Sequence, residues 1–309
     1  MQFRSEDFKH ISQVLYSPKQ PANKTRQCFN VNTEYDPGAK SIGYDVYDRR
    51  GKARISASGG NSKNTPFVGE SVSQVTQGVY EIDMGVEYLQ SELDSMEARR
   101  RLNMGGGAVI NLPTTRVETA RERIKLMEME TVFTGNTELG IKGVYDASFF
   151  GSGLGTKETV ANPGSGTTWP VKTPVQMLED LLKARETVEN GGLFTVSHLV
   201  LTSKALNQLR RPYSSDSQFT VLDWISRSIS IPNIIPFEIA SSTYNGDSVD
   251  YFLMYDGNKE NIEIAVTDEL RLTSPEYSEF YEHWKMRALE KTAGIMFRHP
   301  ACMYIGKGI

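Results

Sequence analysis

The four histidines are the side chains in this sequence best suited to acid–base catalysis near neutral pH. They are His10, His198, His283 and His299, and they fall on unrelated segments, where each is more simply a structural histidine. The sequence contains no nucleophile elbow, phosphate-binding loop, HExxH or paired CxxC motif. A carboxylate pair of the glycosidase kind stays open, but no two acidic residues are singled out. We therefore predict no catalytic residue, no metal site and no cofactor, and a soluble α+β hydrolase is the least favoured interpretation.

Two runs of basic residues are candidates for binding anions. Arg49, Arg50 and Lys52 occupy a predicted hairpin turn, where phosphate binding is possible but a solvated turn or a salt link between subunits is favoured. Arg99-Arg100-Arg101 ends a predicted helix, a position that favours cations for structural reasons. The candidates for contact between subunits are Arg49, Arg50, Lys52, Lys63, Arg99, Arg100 and Arg101.

The composition indicates a folded, slightly acidic protein. Hydrophobic residues make up 39% of the 309 residues, and no apolar run is long enough for a membrane span. The polar N-terminus predicts no secretory signal and therefore a cytoplasm-like compartment. Cys28 and Cys302 are expected to be buried thiols. A formal charge of -4 argues against a dedicated nucleic-acid binder, whose phosphate contacts need a basic surplus.

The longest amphipathic pattern predicts a helix over about 115–134. Thr115 and Glu118 have the spacing of a capping box, and Gly135 provides the left-handed residue that ends a helix. The segment before it, Val79–Asn103, reads as a strand that continues into a helix. About twenty residues give a rod of roughly 30 Å, long enough to lie across a sheet.

The first 75 residues have too few apolar side chains for a core of their own. Residues 1–40 read as an arm with one short helix, held by contact with something else. From Ser41 a two-residue period predicts a hairpin in which SIGYDVYD pairs with ARISAS across the turn at Arg49 to Lys52. Such a hairpin is unstable alone in water, so we expect it to rest on a neighbouring surface.

The second half of the chain predicts a compact α+β lobe. Residues 151–168 read as a flexible connection, and Thr173 and Gln176 then open a helix with a capping box. The apolar segment LFTVSHLVLT predicts an interior strand, and PFEIA, VDYFLMYD and IEIAVT predict three more. Two extended stretches, Phe280–Lys291 and Gly294–Ile305, end the chain, and we expect them to return to the first lobe.

The order of these elements resembles that of the major capsid proteins of tailed bacteriophages. The resemblance is carried by the hairpin, the long helix, LGIKGVYD at 139–146, and Trp169 followed by Lys172-Thr173-Pro174 and Asp180. The closing sequence Ala293–Ala301 is similar to the last strand of the same family. Tyr145-Asp146 departs from the pattern, since relatives often carry a leucine and an asparagine there.

The resemblance implies an α+β fold of the Hong Kong 97-like type, with an N-terminal arm, an extended loop, a peripheral domain with a long spine helix, and an axial domain. These parts are expected at 1–40 for the arm, 41–75 for the extended loop, 76–170 and 281–309 for the peripheral domain, and 171–280 for the axial domain. Some relatives link subunits through an isopeptide between a lysine and an asparagine. Lys52 or Lys63 could supply the amine, but no asparagine follows Asn261, so we predict no such link there.

The function implied is that of a structural subunit of the icosahedral head shell. The expected partners are further copies in hexameric and pentameric capsomers, a scaffold, a portal, a decoration protein and weakly contacted double-stranded DNA, with no membrane. The expected location is the virion, after assembly in the cytoplasm of the host bacterium. An encapsulin-like compartment shell is the nearest alternative, because it shares the fold.

Overall fold

The computed structural model describes residues 22–50, 68–102, 112–146, 156–159, 168–189, 192–214, 218–246, 248–278 and 282–309. Helices and strands are mixed along the chain, and two five-stranded sheets organise them. A separate two-stranded hairpin and a very short second hairpin complete the described strands. The predicted α+β class is therefore correct.

The first sheet is built around one long strand near the C-terminus. Its members are β1 (Val31–Asn32), β4 (Tyr80–Leu89), β11 (Ile262–Leu272), β12 (Glu276–Ser278) and β13 (His283–Phe297). Strand β13 pairs antiparallel with β4, β11 and β12, and β1 adds in parallel to β11. The two predicted C-terminal stretches are thus a single strand up to Phe297, in which Gly294 has a φ of 76°. A glycine in this conformation lets one strand kink without ending.

The long helix α3 (Leu112–Phe133) packs on β4 and β13 of this sheet. It buries Ala120, Ile124 and Val132. The predicted N-cap at Thr115 is wrong, because the helix begins three residues earlier and the Thr119 hydroxyl donates to the Thr115 carbonyl within it, at 2.8 Å. Pro113 explains the earlier start, since proline is tolerated in a first helical turn.

The elements before and after α3 agree with the predicted pattern. Helix α2 (Gln90–Leu102) follows β4 directly, as the pattern over 79–103 predicts. After α3, Gly135 with a φ of 75° confirms the predicted stop. The strands β5 (Gly135–Asn136) and β6 (Ile141–Lys142) then form the very short hairpin.

The second sheet has the order β7-β14-β10-β8-β9. Its members are β7 (Thr156–Thr159), β8 (His198–Leu201), β9 (Asn233–Pro236), β10 (Tyr251–Tyr255) and β14 (Met303–Lys307). Helices α4 (Pro174–Glu189), α5 (Ser203–Leu209) and α6 (Val221–Trp224) belong to the same half of the chain. The flexible connection predicted at 151–168 contains β7, which pairs in parallel with β14. The strand was not predicted because it is only four residues long and its neighbours in the sequence are rich in glycine.

Strand pairing crosses the boundary expected at residue 280. Strand β11 lies before it and β13 after it, yet they pair along most of their length. Strand β14, from the same C-terminal segment as β13, belongs to the second sheet. One apolar core joins both sheets through Phe133, Tyr251 and Ile295. The two halves are therefore continuous, because a β-ladder joins residues far apart in sequence.

The N-terminal segment is part of this core, unlike the arm expected over residues 1–40. Helix α1 (Thr25–Cys28) places Cys28 and Phe29 inside, where Phe29 stacks on Tyr255 at 5.1 Å between ring centroids. The Tyr255 hydroxyl donates to the Cys28 carbonyl. The expectation that the arm finds no burial on its own chain is wrong for these residues, and residues 1–21 lie outside the described part.

The hairpin that begins at Ser41 is real, but its second strand is not the predicted one. Strand β2 (Ser41–Arg50) pairs antiparallel with β3 (Gly69–Gly78) over ten residues. Arg49 and Arg50 therefore lie in a strand, opposite Glu70 and Gly69, and not in a turn. The two-residue period of β2 predicts a strand, but it does not by itself identify which segment pairs with that strand.

Candidate functional site

The outer part of the β2–β3 hairpin is the first surface that the chain leaves exposed. Val46, Tyr47, Val72 and Val75 are all exposed, and Val72 shows 64% of its surface to solvent. Tyr47 lies opposite Val72, and Tyr44 lies opposite Val75, so apolar side chains occupy both faces. Isolated exposed valines are ordinary, but apolar side chains on both faces of a two-stranded hairpin indicate a contact surface.

The base of this hairpin is firmly attached to the body. Ile42 is buried against Ala293 and Met296 of β13. The Tyr44 hydroxyl donates to the Phe297 carbonyl at 2.8 Å, and the Gln77 amide donates to the carbonyl of Ala293. In β3, Gly69 to Thr76 are exposed and only the last two residues are partly covered. The hairpin therefore leaves the body in a fixed direction with its outer apolar residues uncovered.

Helix α4 carries a second exposed apolar surface. Its inner face buries Met177, Leu181, Ala184 and Val188. Val175 and Leu182 lie on another face and are exposed, and Val171 before the helix is exposed too. Val175 and Leu182 are seven residues apart, about two turns, so they lie on the same side of the helix.

An exposed aromatic cluster surrounds α6. The Arg227 guanidinium lies 5.0 Å from the ring centre of Phe219, and Tyr213 contacts Trp224 with ring centroids 5.8 Å apart. Phe219 and Trp224 are both exposed. Nearby, Ser230 has a φ of 54°, which is unusual for a residue other than glycine. Exposed rings with an arginine over them are typical of contact surfaces between proteins.

A buried carboxylate attaches the N-terminal segment to the end of β13. Glu263 on β11 is only 2% exposed and pairs with Arg298. The Tyr35 hydroxyl donates to one of its oxygens at 2.5 Å, and the Asn32 amide donates to the other at 3.1 Å. Burial and this bond to Glu263 raise the pKa of Tyr35 to about 12, so the phenol remains a donor. The Glu263 carboxylate on β11 thus joins the N-terminal segment to the residue that follows β13.

Replacing Arg298 by alanine should lower the free energy of unfolding by about 2–3 kcal/mol, because Glu263 stays buried with its charge only partly compensated. Urea unfolding of the full chain measures this. Arg271→Ala is the matched control: it breaks an ion pair with Asp268 in which Arg271 is 62% exposed, and should cost under about 1 kcal/mol. Equal losses for the two variants would show that burial of Glu263 does not matter.

Of the seven predicted contact residues, the five that the structure describes lie in two different elements. Arg49 and Arg50 lie in β2, and Arg99 to Arg101 lie in the last turn of α2. Lys52 and Lys63 lie outside the described residues. Their role in contact between subunits therefore stays a prediction. The sequence did not single out Arg26 or Glu263 as members of ionic clusters. Arg298 was noted only as part of the family-like sequence Ala293–Ala301.

The histidine closest to other polar groups has a structural environment. His198 stacks on Tyr255 with ring centroids 5.2 Å apart, its Nδ1 is 2.8 Å from the Ser197 hydroxyl, and its Nε2 is 3.2 Å from the Asn233 amide. Burial lowers the pKa of His198. The Ser197 hydroxyl also accepts from the Gly257 amide, at 2.7 Å. The neutral His198 ring, with both nitrogens in hydrogen bonds, therefore helps to hold the turn at Gly257 beside β8.

The remaining chemistry of the described residues is also structural. Cys28 and Cys302 are buried free thiols, as predicted, and burial raises the pKa of each to about 12. Within the described ranges, no three His, Cys, Asp or Glu side chains are grouped so that they could hold a metal ion. None of the helices described is both long and apolar enough to cross a membrane.

A long helix across one sheet, a second sheet with its own helices and a projecting hairpin form an α+β fold of the Hong Kong 97-like type. The sequence model of the family described as "Major capsid protein" matches residues 51–309, and the chain belongs to that family. It is thus a structural subunit of a phage head shell, and its place is the virion, as the resemblance implied.

Solved structures with the same fold are distant in sequence. The capsid of Myoviridae phage XM1 has a TM-score of 0.80 at 16% identity, with 99% of each chain covered. A structure from Mycobacterium phage Bobi has a TM-score of 0.66 at 10% identity, covering 98% of this chain and 96% of that one. A virus-like particle from Pyrococcus furiosus has a TM-score of 0.57 at 13% identity, covering 90% of each chain. No curated protein sequence matches the chain.

Proposed function

We propose that copies of this chain assemble into hexameric and pentameric capsomers, which close an icosahedral shell around double-stranded DNA. The observation that supports this most directly is the β2–β3 hairpin, whose base is fixed and whose outer apolar side chains are exposed. The hairpin acts as the extended loop and rests on a neighbouring copy. Because the same contact recurs at every copy, a modest gain per contact closes the whole shell.

As the resemblance implies, α3 acts as the spine helix of a peripheral domain at 76–170 and 281–309, which includes β4 and β13. Helices α4 to α6, with β8, β9 and β10, belong to an axial domain at 171–280, directed towards the capsomer centre. The chain performs no catalysis; its work is assembly, with a scaffold and a portal as partners in the host cytoplasm and a decoration protein on the finished shell. The net charge of -4 suits an inner wall that holds DNA weakly.

Placing a charge on the outer hairpin should prevent assembly without unfolding the chain. We expect Val72→Asp, alone or with Val46→Asp, to raise the concentration needed for shell assembly by about 100-fold, because each contact would bury an unpaired carboxylate. Both positions are exposed within the single chain, so the unfolding midpoint should stay within about 2 °C of the wild type. Sedimentation and negative-stain microscopy measure the shells.

Thr76→Asp is the matched control. It adds the same charge to an exposed, already polar position on the same face of the same strand, opposite Gly43, and should leave assembly close to wild type. If Thr76→Asp and Val72→Asp impair assembly equally, added charge and not the loss of apolar contact is responsible. If neither variant impairs it, the hairpin does not contact a neighbouring copy.

The similarity to a virus-like particle keeps the alternative of an encapsulin-like compartment open. The two differ in what the shell encloses. Shells purified after nuclease treatment should contain double-stranded DNA if the chain builds a phage head. Shells that enclose only protein would favour the compartment.

A further inference from the structure

One arginine of the N-terminal segment lies between two buried carboxylates. Arg26 Nε is 3.1 Å from Glu128 Oε1 on α3, and Arg26 Nη2 is 2.8 Å from Glu290 Oε1 on β13. The Glu128 side chain is 1% exposed and that of Glu290 is fully buried. This cluster joins three segments that are far apart in sequence, and two acids share a single guanidinium.

The second oxygen of Glu290 has no hydrogen-bond partner among the described residues. An ionised carboxylate with a buried, unpaired oxygen is costly, and taking up a proton removes that cost. Burial first, and then the neighbouring charge of Glu128, raise the pKa of Glu290 to about 7. Burial also raises the pKa of Glu128, against the attraction of Arg26.

The other charged groups around Glu290 do not neutralise it. Glu269 on β11 lies 3.9 Å from Arg26 Nη1 and is largely exposed. Lys125 lies one turn before Glu128 on α3 and acts mainly on that residue. Strand β4 presents Ile82 opposite Glu290. Arg26 and Lys125 therefore face three carboxylates. An open cavity beside them is lined also by Asn23 and Gln27, but the second oxygen of Glu290 is closed off from solvent.

We propose that Arg26, Glu128 and Glu290 form a proton-dependent lock between the N-terminal segment, α3 and β13, which stabilises the folded chain most when Glu290 is protonated, because ionised Glu290 is a buried charge that one shared arginine compensates only in part. A carboxyl whose pKa is higher in the folded chain than in the unfolded chain binds its proton more tightly when folded. Its contribution to stability is therefore complete below the ordinary carboxyl pKa and is lost as the pH rises through about 7. The folded chain therefore loses stability towards alkaline pH.

The test compares thermal unfolding of the full, unassembled chain at about pH 5 and about pH 8.5, on either side of the expected transition. Glu290→Gln keeps the shape but is permanently neutral, so it should raise the midpoint at the higher pH and reduce the difference between the two conditions. Glu269→Gln is the control, since that side chain is 66% exposed, and it should keep the wild-type difference. A Glu290→Gln chain with an unchanged pH dependence overturns the proposal.

Two further measurements serve if Glu290→Gln does not fold. Glu128→Gln removes the neighbouring like charge, so it should move the stability transition to lower pH. Hydrogen exchange of the wild type, corrected for the intrinsic rate, should show protection of the slowest β13 amides, which exchange through global unfolding, falling about tenfold between the two pH values. An unmoved transition or constant protection contradicts the lock. Because no step needs assembled shells, these outcomes are independent of the proposed function.

Discussion

Replacing Lys172 by alanine will lower the free energy of unfolding by about 3–5 kcal/mol. The Lys172 side chain is fully buried, and its Nζ lies 2.6 Å from Asp180 Oδ2 on α4. The same oxygen accepts the indole N–H of Trp169 at 3.0 Å. Trp169 is itself fully buried and stacks on Phe252 of the second sheet. Removing the ammonium leaves a carboxylate in an apolar core with one neutral donor.

Urea unfolding of Lys172→Ala and of a rescue variant, Lys172→Met with Asp180→Asn, separates charge from packing. The rescue removes both charges, retains volume and keeps an acceptor for the Trp169 N–H, so it should recover more than half of the loss. Lys204→Ala, an exposed lysine on α5, is the control and should change stability by under about 0.5 kcal/mol. A Lys172→Ala loss as small as that of Lys204→Ala would mean that the buried pair adds nothing.

This ion pair also explains part of the family resemblance. In the sequence, Lys172-Thr173-Pro174 indicates a helix start, and Asp180 follows about two turns into α4. The predicted capping box between Thr173 and Gln176 is present: the Thr173 amide donates to the Gln176 side-chain oxygen at 3.0 Å. Local signals of this kind involve residues at most four apart, which is why the sequence predicts them well. The burial of Lys172 needs the second sheet, so spacing alone could not reveal it.

Contacts between distant segments account for the expectations that failed. The Tyr255 hydroxyl and the Cys28 carbonyl are 227 residues apart in sequence, and no periodic pattern marks their meeting. The pairing of β2 with β3 instead of 53–58 is a choice of partner segment, which the alternating pattern of β2 does not decide. Local periodicity predicts that a strand forms, but its partner depends on packing across the whole chain.

The contact surface was predictable only in part. A hairpin with too small a core of its own indicated a surface that needs a neighbour, and the exposed valines of β3 agree with that inference. The ionic clusters around Arg26 and Arg298 consist of residues that look like ordinary surface charges in the sequence. Their partners Glu128, Glu263 and Glu290 are buried by strands and helices from other parts of the chain.

The departure from the family pattern at Tyr145 has a physical explanation. The Tyr145 ring is buried and lies 5.8 Å from Phe133 and 5.4 Å from Tyr251, measured between ring centroids. Its hydroxyl donates to the Ile239 carbonyl at 3.0 Å. A large aromatic residue therefore fills the space between the end of α3 and the second sheet, and its polar group is satisfied there.

The glycines of LGIKGVYD should differ sharply when each is replaced by alanine. Gly143→Ala should cost about 3 kcal/mol or more, because a Cβ at this position would lie 2.5 Å from the carbonyl oxygen of Phe133 and equally close to the Thr134 backbone. These are main-chain atoms at the end of α3, and they cannot turn aside as a flexible side chain would. The residue after Gly143 is hydrogen-bonded to the same turn of α3, because the Val144 amide donates to the Val132 carbonyl at 2.9 Å.

Gly140→Ala is the matched control within the same short hairpin. Gly140 has a φ of 70°, but no atom beyond its chain neighbours lies within 4 Å of the added Cβ. The cost is therefore only the left-handed backbone conformation, about 1 kcal/mol. Urea unfolding of both variants decides between close backbone packing and backbone strain. If Gly140→Ala is as damaging as Gly143→Ala, conformational strain and not close packing explains the glycines, and the end of the spine helix is less tightly held than its geometry indicates.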